Sequence, residues 1–203
     1  TKLFPVLIKS IADTTEPDAT FLRFDEFLRG LPSGVQLFSM FYSNPSLLDL
    51  VAEIMGGAPR LAEYLSRRSH ILDFVLTPDF FRNLPSKQEL NLELLNLMAR
   101  VENIEDVLVT IRRWANDKRF QVGVLRLLLK IDQNKSAKTL SNIADSAINA
   151  LFTKIEEEIV TQHGRISGSS IAILAMGKLG SQTMTPESDL DLVFVYDLPK
   201  NSK

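Results

Sequence analysis

Two aspartates near the end of the chain, Asp189 and Asp191, are the residues best suited to chemistry. They precede an apolar run, Leu192 to Tyr196, that is typical of a β-strand. Alternate side chains of a strand point to one face, so we expect both carboxylates to project side by side, with Leu190 and Leu192 turned towards a core. A strand start at the protein surface is the alternative interpretation. Against it, two like charges on one face repel each other unless a cation lies between them, and Mg²⁺ prefers carboxylate oxygens.

A glycine turn precedes these carboxylates and follows a first apolar strand over residues 171–176. The turn contains Gly177, Gly180 and Ser181. Glycine has no Cβ, so the backbone can approach a phosphate closely, and Gly180 and Ser181 offer a backbone N–H and a hydroxyl for a triphosphate. Together with the carboxylates, this turn predicts a Mg²⁺–nucleotide site for phosphoryl or nucleotidyl transfer.

Other polar side chains near this motif have two interpretations each. Lys178 contacts phosphate or is a solvated lysine of the turn. Ser188 touches the nucleotide or caps the loop, and we favour the cap. Arg112, Arg119 and Arg126 are seven residues apart and form one stripe on a predicted helix. Such a stripe faces phosphates or an acidic partner, or is simply the solvated face of the helix.

Composition sets limits on the class of protein. The chain has 203 residues, of which 45% are hydrophobic and 24% charged, with a net charge of −2, as is ordinary for a globular protein. We therefore expect neither nucleic acid nor an anionic membrane as a partner. The absence of cysteine excludes disulfides, zinc–thiolate sites and thiol catalysis, and fits a cytoplasmic protein.

Helical periodicity dominates the chain as far as about Gly164. Asn44 and Pro45 read as the N-cap and first residue of one helix, and Ser86 as the cap of another. Two long helices are predicted, over Ile104–Lys130 and Ser136–His163. The inner stripe of the first is predicted to consist of Val107, Ile111, Trp114, Ala115, Val122, Leu125 and Leu129.

A change of composition to glycine and serine over residues 163–170 predicts a domain boundary. We expect a helical domain over residues 1–164 and the start of an α/β domain over residues 165–203. Two strands cannot form an independent α/β domain, so the second domain is expected to be incomplete here. The predicted fold class is therefore mainly α, a helical domain followed by the first strands of a truncated α/β domain. The missing initiator Met agrees with a piece of a longer protein.

Family resemblance sharpens this picture. The run Met176-Gly-Lys-Leu-Gly-Ser-x-x-Met-x-x-x-Ser-Asp-Leu-Asp-Leu resembles the nucleotidyltransferase superfamily of DNA polymerase beta and, within it, the bacterial glutamine synthetase adenylyltransferases. The upstream segments over residues 44–68 and 105–120 are similar to the region ahead of the adenylylating domain in that family. The resemblance covers roughly residues 33–197.

The resemblance implies an α/β nucleotidyltransferase domain that uses ATP and Mg²⁺ to transfer AMP to a tyrosine of glutamine synthetase. It further implies a second domain that removes the AMP by phosphorolysis, and PII-type signal proteins that choose between the two. Asp189 and Asp191 would be the catalytic metal ligands. The nucleotide would be bound by Gly177, Lys178, Gly180, Ser181 and Ser188.

Two departures from the family pattern affect this expectation. Ser181 stands where the family usually has a second glycine, which restores the Gly-Ser of the superfamily. The third metal carboxylate of the superfamily is expected on a later strand, past Lys203, so we expect the chain alone to be inactive. Two alternatives remain: a helical binding or regulatory scaffold, and a small-molecule nucleotidyltransferase. A third acid on a following strand would favour the enzyme.

Overall fold

Helices make up most of the molecule. The computed structural model describes residues 3–30, 34–68, 71–77, 79–81 and 84–199. Within these residues the elements are helices α1 Leu3–Ala12, α2 Pro17–Arg29, α3 Gly34–Ser43, α4 Pro45–Gly57, α5 Pro59–Arg67, α6 Ile71–Val75, α7 Lys87–Met98, α8 Ile104–Leu127 and α9 Gln133–His163, strand β1 Ser170–Ala175, helix α10 Gly177–Gly180 and strand β2 Leu192–Asp197. This order confirms the predicted fold class, mainly α with two strands at the end. None of the helices in the described ranges is both long and apolar enough to cross a membrane.

Contacts divide the chain into two units, residues 1–83 with 123–130 and residues 84–122 with 131–203. Helix α8 supplies residues to both, and the two strands belong to the second unit. This division does not coincide with the boundary predicted after residue 164. The reason is that residues near α10 are buried in the helical core of the second unit. A helical domain over residues 1–164 that folds by itself stays a prediction.

The first unit packs short helices around buried phenylalanines. The rings of Phe24 and Phe27 in α2 lie 5.8 Å apart in an edge-to-face arrangement, and Phe24 lies 6.2 Å from Phe41 of α3. Asn44 precedes α4 as predicted, but its side chain does not cap that helix; its Nδ2 donates to the carbonyl of Met40 at 3.1 Å. Several helices begin with proline, whose fixed φ suits a first turn. These prolines are Pro17, Pro45 and Pro59.

Helix α8 ends at Leu127, before the predicted end at Lys130. Leu129 adopts a φ of 53°, and the N–H groups of Leu129 and Lys130 donate to the carbonyls of Arg126 at 3.0 Å and Leu125 at 2.9 Å. These bonds form a Schellman motif, in which glycine usually takes the left-handed position. Because leucine stands there, no glycine marks the end of this helix in the sequence. Leu129 is 89% exposed, so its predicted place in the inner stripe was wrong.

A capping box starts α7 and confirms the cap predicted at Ser86. The Ser86 hydroxyl accepts from the Glu89 N–H at 3.3 Å, and the Glu89 carboxylate accepts from the Ser86 N–H at 2.7 Å. Hydrogen bonds to the backbone of Ser86 and to the side chain of Ser86 lower the pKa of Glu89 from its ordinary value. The box therefore satisfies two N–H groups at the start of a helix that lines the core of the second unit.

Polar pairs join the helices of the second unit outside its core. Lys118 of α8 lies 2.7 Å from Glu93 of α7. Helix α9 contacts α7 through two pairs, Lys87–Asp145 at 2.8 Å and Ser146–Asn91 at 2.6 Å. Surface ion pairs contribute little to stability, so these pairs chiefly fix the alignment of helices that are held together by apolar burial.

The core of the second unit contains residues of three helices and of the segment around α10. Leu179 is 3% exposed and Met184 is 7% exposed, although both lie in a short glycine-rich segment. Trp114, the single tryptophan of the chain, is 4% exposed in the same core. Burial of these apolar side chains thus fixes the α10 segment on the helices. The other buried members are Leu90, Leu94, Met98, Val107, Ile111, Val122, Leu140 and Ile143.

The two strands form an antiparallel ladder in which Ala175 lies opposite Leu192. Both of these residues pack against the core of the second unit. Leu174 and Phe194, which lie on opposite faces of the ladder, are 49% and 57% exposed. Apolar side chains on both faces are typical of strands that are covered on both sides in a larger sheet.

Leu179→Ala is expected to destabilise the 203-residue chain by about 2–5 kcal/mol, because it leaves a cavity in the core. Leu190→Ala is the matched control: Leu190 is 47% exposed, so the cost should stay within about 0.5 kcal/mol. Urea titration followed by Trp114 fluorescence measures both. Equal unfolding midpoints for the two variants would show that Leu179 is not an anchor.

Candidate active site

Gly177 begins α10 with a φ of 53°, a conformation that favours glycine. A Cβ built on Gly177 would lie 2.6 Å from Oδ2 of Asp191. The missing side chain therefore leaves the space that the Asp191 carboxylate occupies beside the turn. This contact brings together two residues that the sequence analysis assigned to one site.

Gly180 is fixed by a different constraint. A Cβ at this position would overlap the carbonyl oxygen of Ala175, which belongs to the backbone and has little freedom to shift. The Gly180 N–H donates to the Met176 carbonyl at 3.0 Å, which closes the turn directly after β1. Glycine is thus required here for close packing of the turn against the strand.

Ser181 contributes to the turn through its hydroxyl. Its Oγ donates to the Gly177 carbonyl at 3.0 Å and lies 2.8 Å from the hydroxyl of Thr183. Gln182 has a φ of 57°, and the Thr183 N–H donates to the Lys178 carbonyl at 2.9 Å. A residue in the left-handed conformation therefore follows α10, as Leu129 follows α8. The side chain of Lys178 is exposed.

Asp189 and Asp191 are exposed and lie just before β2 rather than within it. The Asp191 carbonyl accepts from the Met176 N–H at 2.8 Å, which ties the end of the loop to the start of the turn. Leu192 packs against the core, but Leu190 is 47% exposed, so its predicted inward orientation was wrong. Strand alternation does not extend to residues 188–191, because they lie outside the ladder.

The loop ahead of the two carboxylates is closed by its own side chains. The Ser188 hydroxyl accepts from the Thr185 N–H at 2.8 Å and lies 3.0 Å from the Thr185 hydroxyl. Ser188 therefore forms the loop cap that we favoured. The guanidinium of Arg119 donates to the carbonyl of Pro186. Within the predicted arginine stripe, Arg119 thus contacts the loop.

The described residues contain no group of three or more carboxylates or imidazoles that would hold a metal ion. Mg²⁺ usually takes only one or two protein carboxylates and completes its shell with water and substrate phosphates. Asp189 and Asp191 supply two hard oxygen donors, and the space beside Gly177 accommodates one of them. The residues present therefore fit Mg²⁺ held jointly with a nucleotide.

Sequence reasoning missed three contributors to this region. Thr183 and Thr185 bind the hydroxyls of the turn and the loop, and Pro186 accepts from a distant helix. The seven-residue spacing of the arginines was a sequence signal for the contact between Arg119 and Pro186. That spacing places the arginines on one helix face but does not identify the loop that they contact. The chain resembles nucleotidyltransferases through one arrangement. It consists of a strand, a glycine turn and two carboxylates that precede a second strand.

Comparison with known proteins identifies the family. The model of the glutamate–ammonia ligase adenylyltransferase family matches residues 48–203. The match includes the glycine turn, both carboxylates and helices α7 to α9. The chain belongs to this family, which confirms the resemblance seen in the sequence.

Curated relatives carry the name bifunctional glutamine synthetase adenylyltransferase/adenylyl-removing enzyme. The protein of Mesorhizobium japonicum is 41% identical over 197 residues, that of Brucella melitensis 38% over 203 and that of Bartonella henselae 42% over 197. These alignments cover 97%, 100% and 97% of this chain but 20%, 21% and 20% of the relatives. The chain thus spans about a fifth of the length of the relatives it matches.

Gly180→Ala is expected to destabilise the chain by about 1–3 kcal/mol, because its Cβ has to displace the backbone at Ala175. Gly57→Ala is the control: a Cβ there meets the flexible tip of Leu127 at 3.3 Å. In thermal unfolding, each kcal/mol corresponds to about 2–4 °C for a chain of this size. A midpoint for Gly180→Ala at or above that of Gly57→Ala would contradict the close packing of the turn.

Proposed function

We propose that the intact enzyme containing this chain transfers AMP from ATP to a tyrosine of glutamine synthetase, and that it also removes the AMP. The observation that carries the proposal is the place of the Asp191 carboxylate beside Gly177. Its Oδ2 lies 2.6 Å from where a Cβ on Gly177 would be. Family membership and the names of the relatives support the reaction and the substrate. Those names also favour a protein substrate over the small-molecule alternative.

The reaction needs charge neutralisation more than covalent chemistry. The tyrosine oxygen forms a bond to the α-phosphorus of ATP, the bond from that phosphorus to pyrophosphate breaks, and the phenolic proton passes to solvent. Negative charge develops on the phosphate oxygens and on the leaving pyrophosphate. Asp189 and Asp191 would hold Mg²⁺, which supplies Lewis-acid stabilisation of that charge when bound.

The turn positions the nucleotide in this proposal. The space of a side chain at Gly177 is taken by the Asp191 carboxylate, and that at Gly180 by the Ala175 carbonyl, so these glycines shape the turn itself. The N–H groups of Gly180 and Ser181 already donate within the turn, to Met176 and Gly177. The exposed ammonium group of Lys178 is therefore the favoured phosphate contact, with Ser181 and Ser188 shaping the edges of the site.

Partners and location follow from the same proposal. Glutamine synthetase is the substrate protein, and a PII-type signal protein selects between adding and removing AMP. The enzyme acts in the cytoplasm, where ATP and glutamine synthetase meet. The helical region then serves as the support that presents the transferase strands to a large protein substrate.

In the intact enzyme, Asp189→Asn and Asp191→Asn should each lower AMP transfer by at least about 10³-fold, because each removes a charged metal ligand. Asp197→Asn is the control, since Asp197 ends β2 opposite Ser170, away from the turn. Transfer is measured with labelled ATP and glutamine synthetase. A rate within tenfold of wild type for Asp189→Asn would exclude this carboxylate as a metal ligand.

We propose further that the 203-residue chain alone does not transfer AMP. Its described residues offer two carboxylates just ahead of a ladder whose apolar side chains are exposed on both faces, so the ligands lack a covered support. Titration calorimetry with ATP and Mg²⁺ should detect weak binding at best. Because a completed site would bind more tightly, a dissociation constant of a few micromolar would contradict the proposal.

A further inference from the structure

Helix α8 reaches the loop of the candidate active site through Arg119 of its stripe. The guanidinium of Arg119 donates to the carbonyl of Pro186, which is 67 residues away in sequence. Helix α8 is held in place on either side of Arg119: Lys118 pairs with Glu93, and Phe120 is 2% exposed. The donor therefore projects from a fixed element towards an exposed loop.

The loop is also attached at its two ends. Met184 is buried in the core, which fixes the start of the loop. Ser188 bonds to Thr185, which closes the loop just before Asp189. Pro186 lies between these points, and proline has no N–H to hold its backbone through a bond of its own. The Arg119 contact thus fixes the middle of a loop whose next residues are the two carboxylates.

We propose that Arg119 is a positioning residue for Asp189 and Asp191: it holds the loop that sets where their carboxylates meet a metal and a nucleotide. The inference rests on the proposed function for its catalytic consequence, but the contact is independent of it. Arginine suits this task because its guanidinium is always charged and its charge-assisted bond to a carbonyl is stronger than a neutral one. A direct contact between Arg119 and phosphate is a different role, which the test separates.

The first test measures loop order without any ligand. Amide hydrogen exchange is compared in the 203-residue chain for wild type, Arg119→Met, Arg119→Lys and Arg112→Met. Arg112 is the matched control, because it lies seven residues earlier in the same exposed stripe. We expect Arg119→Met to speed exchange at least about fivefold over residues 183–191 and to leave α7 unchanged, since local opening is set by local contacts. Arg119→Lys keeps one donor and should retain most of the protection.

Two outcomes of this test overturn the inference. Exchange over residues 183–191 that equals wild type in Arg119→Met would show that the loop does not depend on Arg119. Faster exchange throughout α7 as well as the loop would show that Arg119 supports the whole unit rather than the site.

The second test links the loop to catalysis in the intact enzyme. Arg119→Met should lower kcat for AMP transfer by about 10- to 100-fold and raise the Mg²⁺ concentration for half-maximal rate, with KM for glutamine synthetase unchanged. Arg119→Lys should recover part of the rate, and Arg112→Met should match wild type. A rise in KM for ATP at an unchanged Mg²⁺ dependence would overturn positioning in favour of a direct phosphate contact.

The failures of the two proposals are distinguishable. Wild-type transfer in both Asp189→Asn and Asp191→Asn would overturn the proposed function and this inference with it, because neither carboxylate would then need to be positioned. Loss of transfer in Asp189→Asn beside a wild-type rate in Arg119→Met would overturn this inference alone.

Discussion

Burial of Leu179 and Met184 in the helical core is the interaction on which the candidate site depends. Both residues belong to a short glycine-rich segment, yet they are 3% and 7% exposed in the same core as Trp114. Hydrophobic burial is non-directional, but close packing against the helices restricts the side chains of Leu179 and Met184 to one arrangement. The turn between β1 and the two carboxylates is therefore placed by α7, α8 and α9, and the two-stranded ladder alone would not hold it.

Close contacts at two glycines of this segment then define the geometry of the candidate site. Gly180 lies against the Ala175 carbonyl, and the absent side chain of Gly177 leaves room for the Asp191 carboxylate. Hydrogen bonds use the N–H groups and the Ser181 hydroxyl within the turn itself. The segment is consequently preorganised by packing and hydrogen bonding, which is the condition for electrostatic stabilisation of a charged transition state. Membership of the adenylyltransferase family gives that arrangement its proposed chemistry.

The helical region has a second role through α8. This helix contributes Trp114 and Ile111 to the core and presents Arg119 to the loop ahead of the carboxylates. A shift of α8 would therefore affect the site in two ways: through the apolar core and through the hydrogen bond from Arg119.

Patterns among neighbouring residues were sufficient to predict the fold class and most of the elements. Helical periodicity and the Ser86 cap predicted the fold class and the helices, because these depend on neighbours along the chain. The spacing from Gly177 to Asp191 predicts site residues whose role stays a proposal. Two predictions from the sequence were wrong: a leucine, Leu129, takes the left-handed position after α8 that glycine usually marks, and Leu190 is exposed because its segment lies outside the ladder. The three-dimensional packing shows which core buries Leu179 and which carbonyl accepts the hydrogen bond from Arg119. Such contacts join residues far apart in the chain, and no local pattern encodes them.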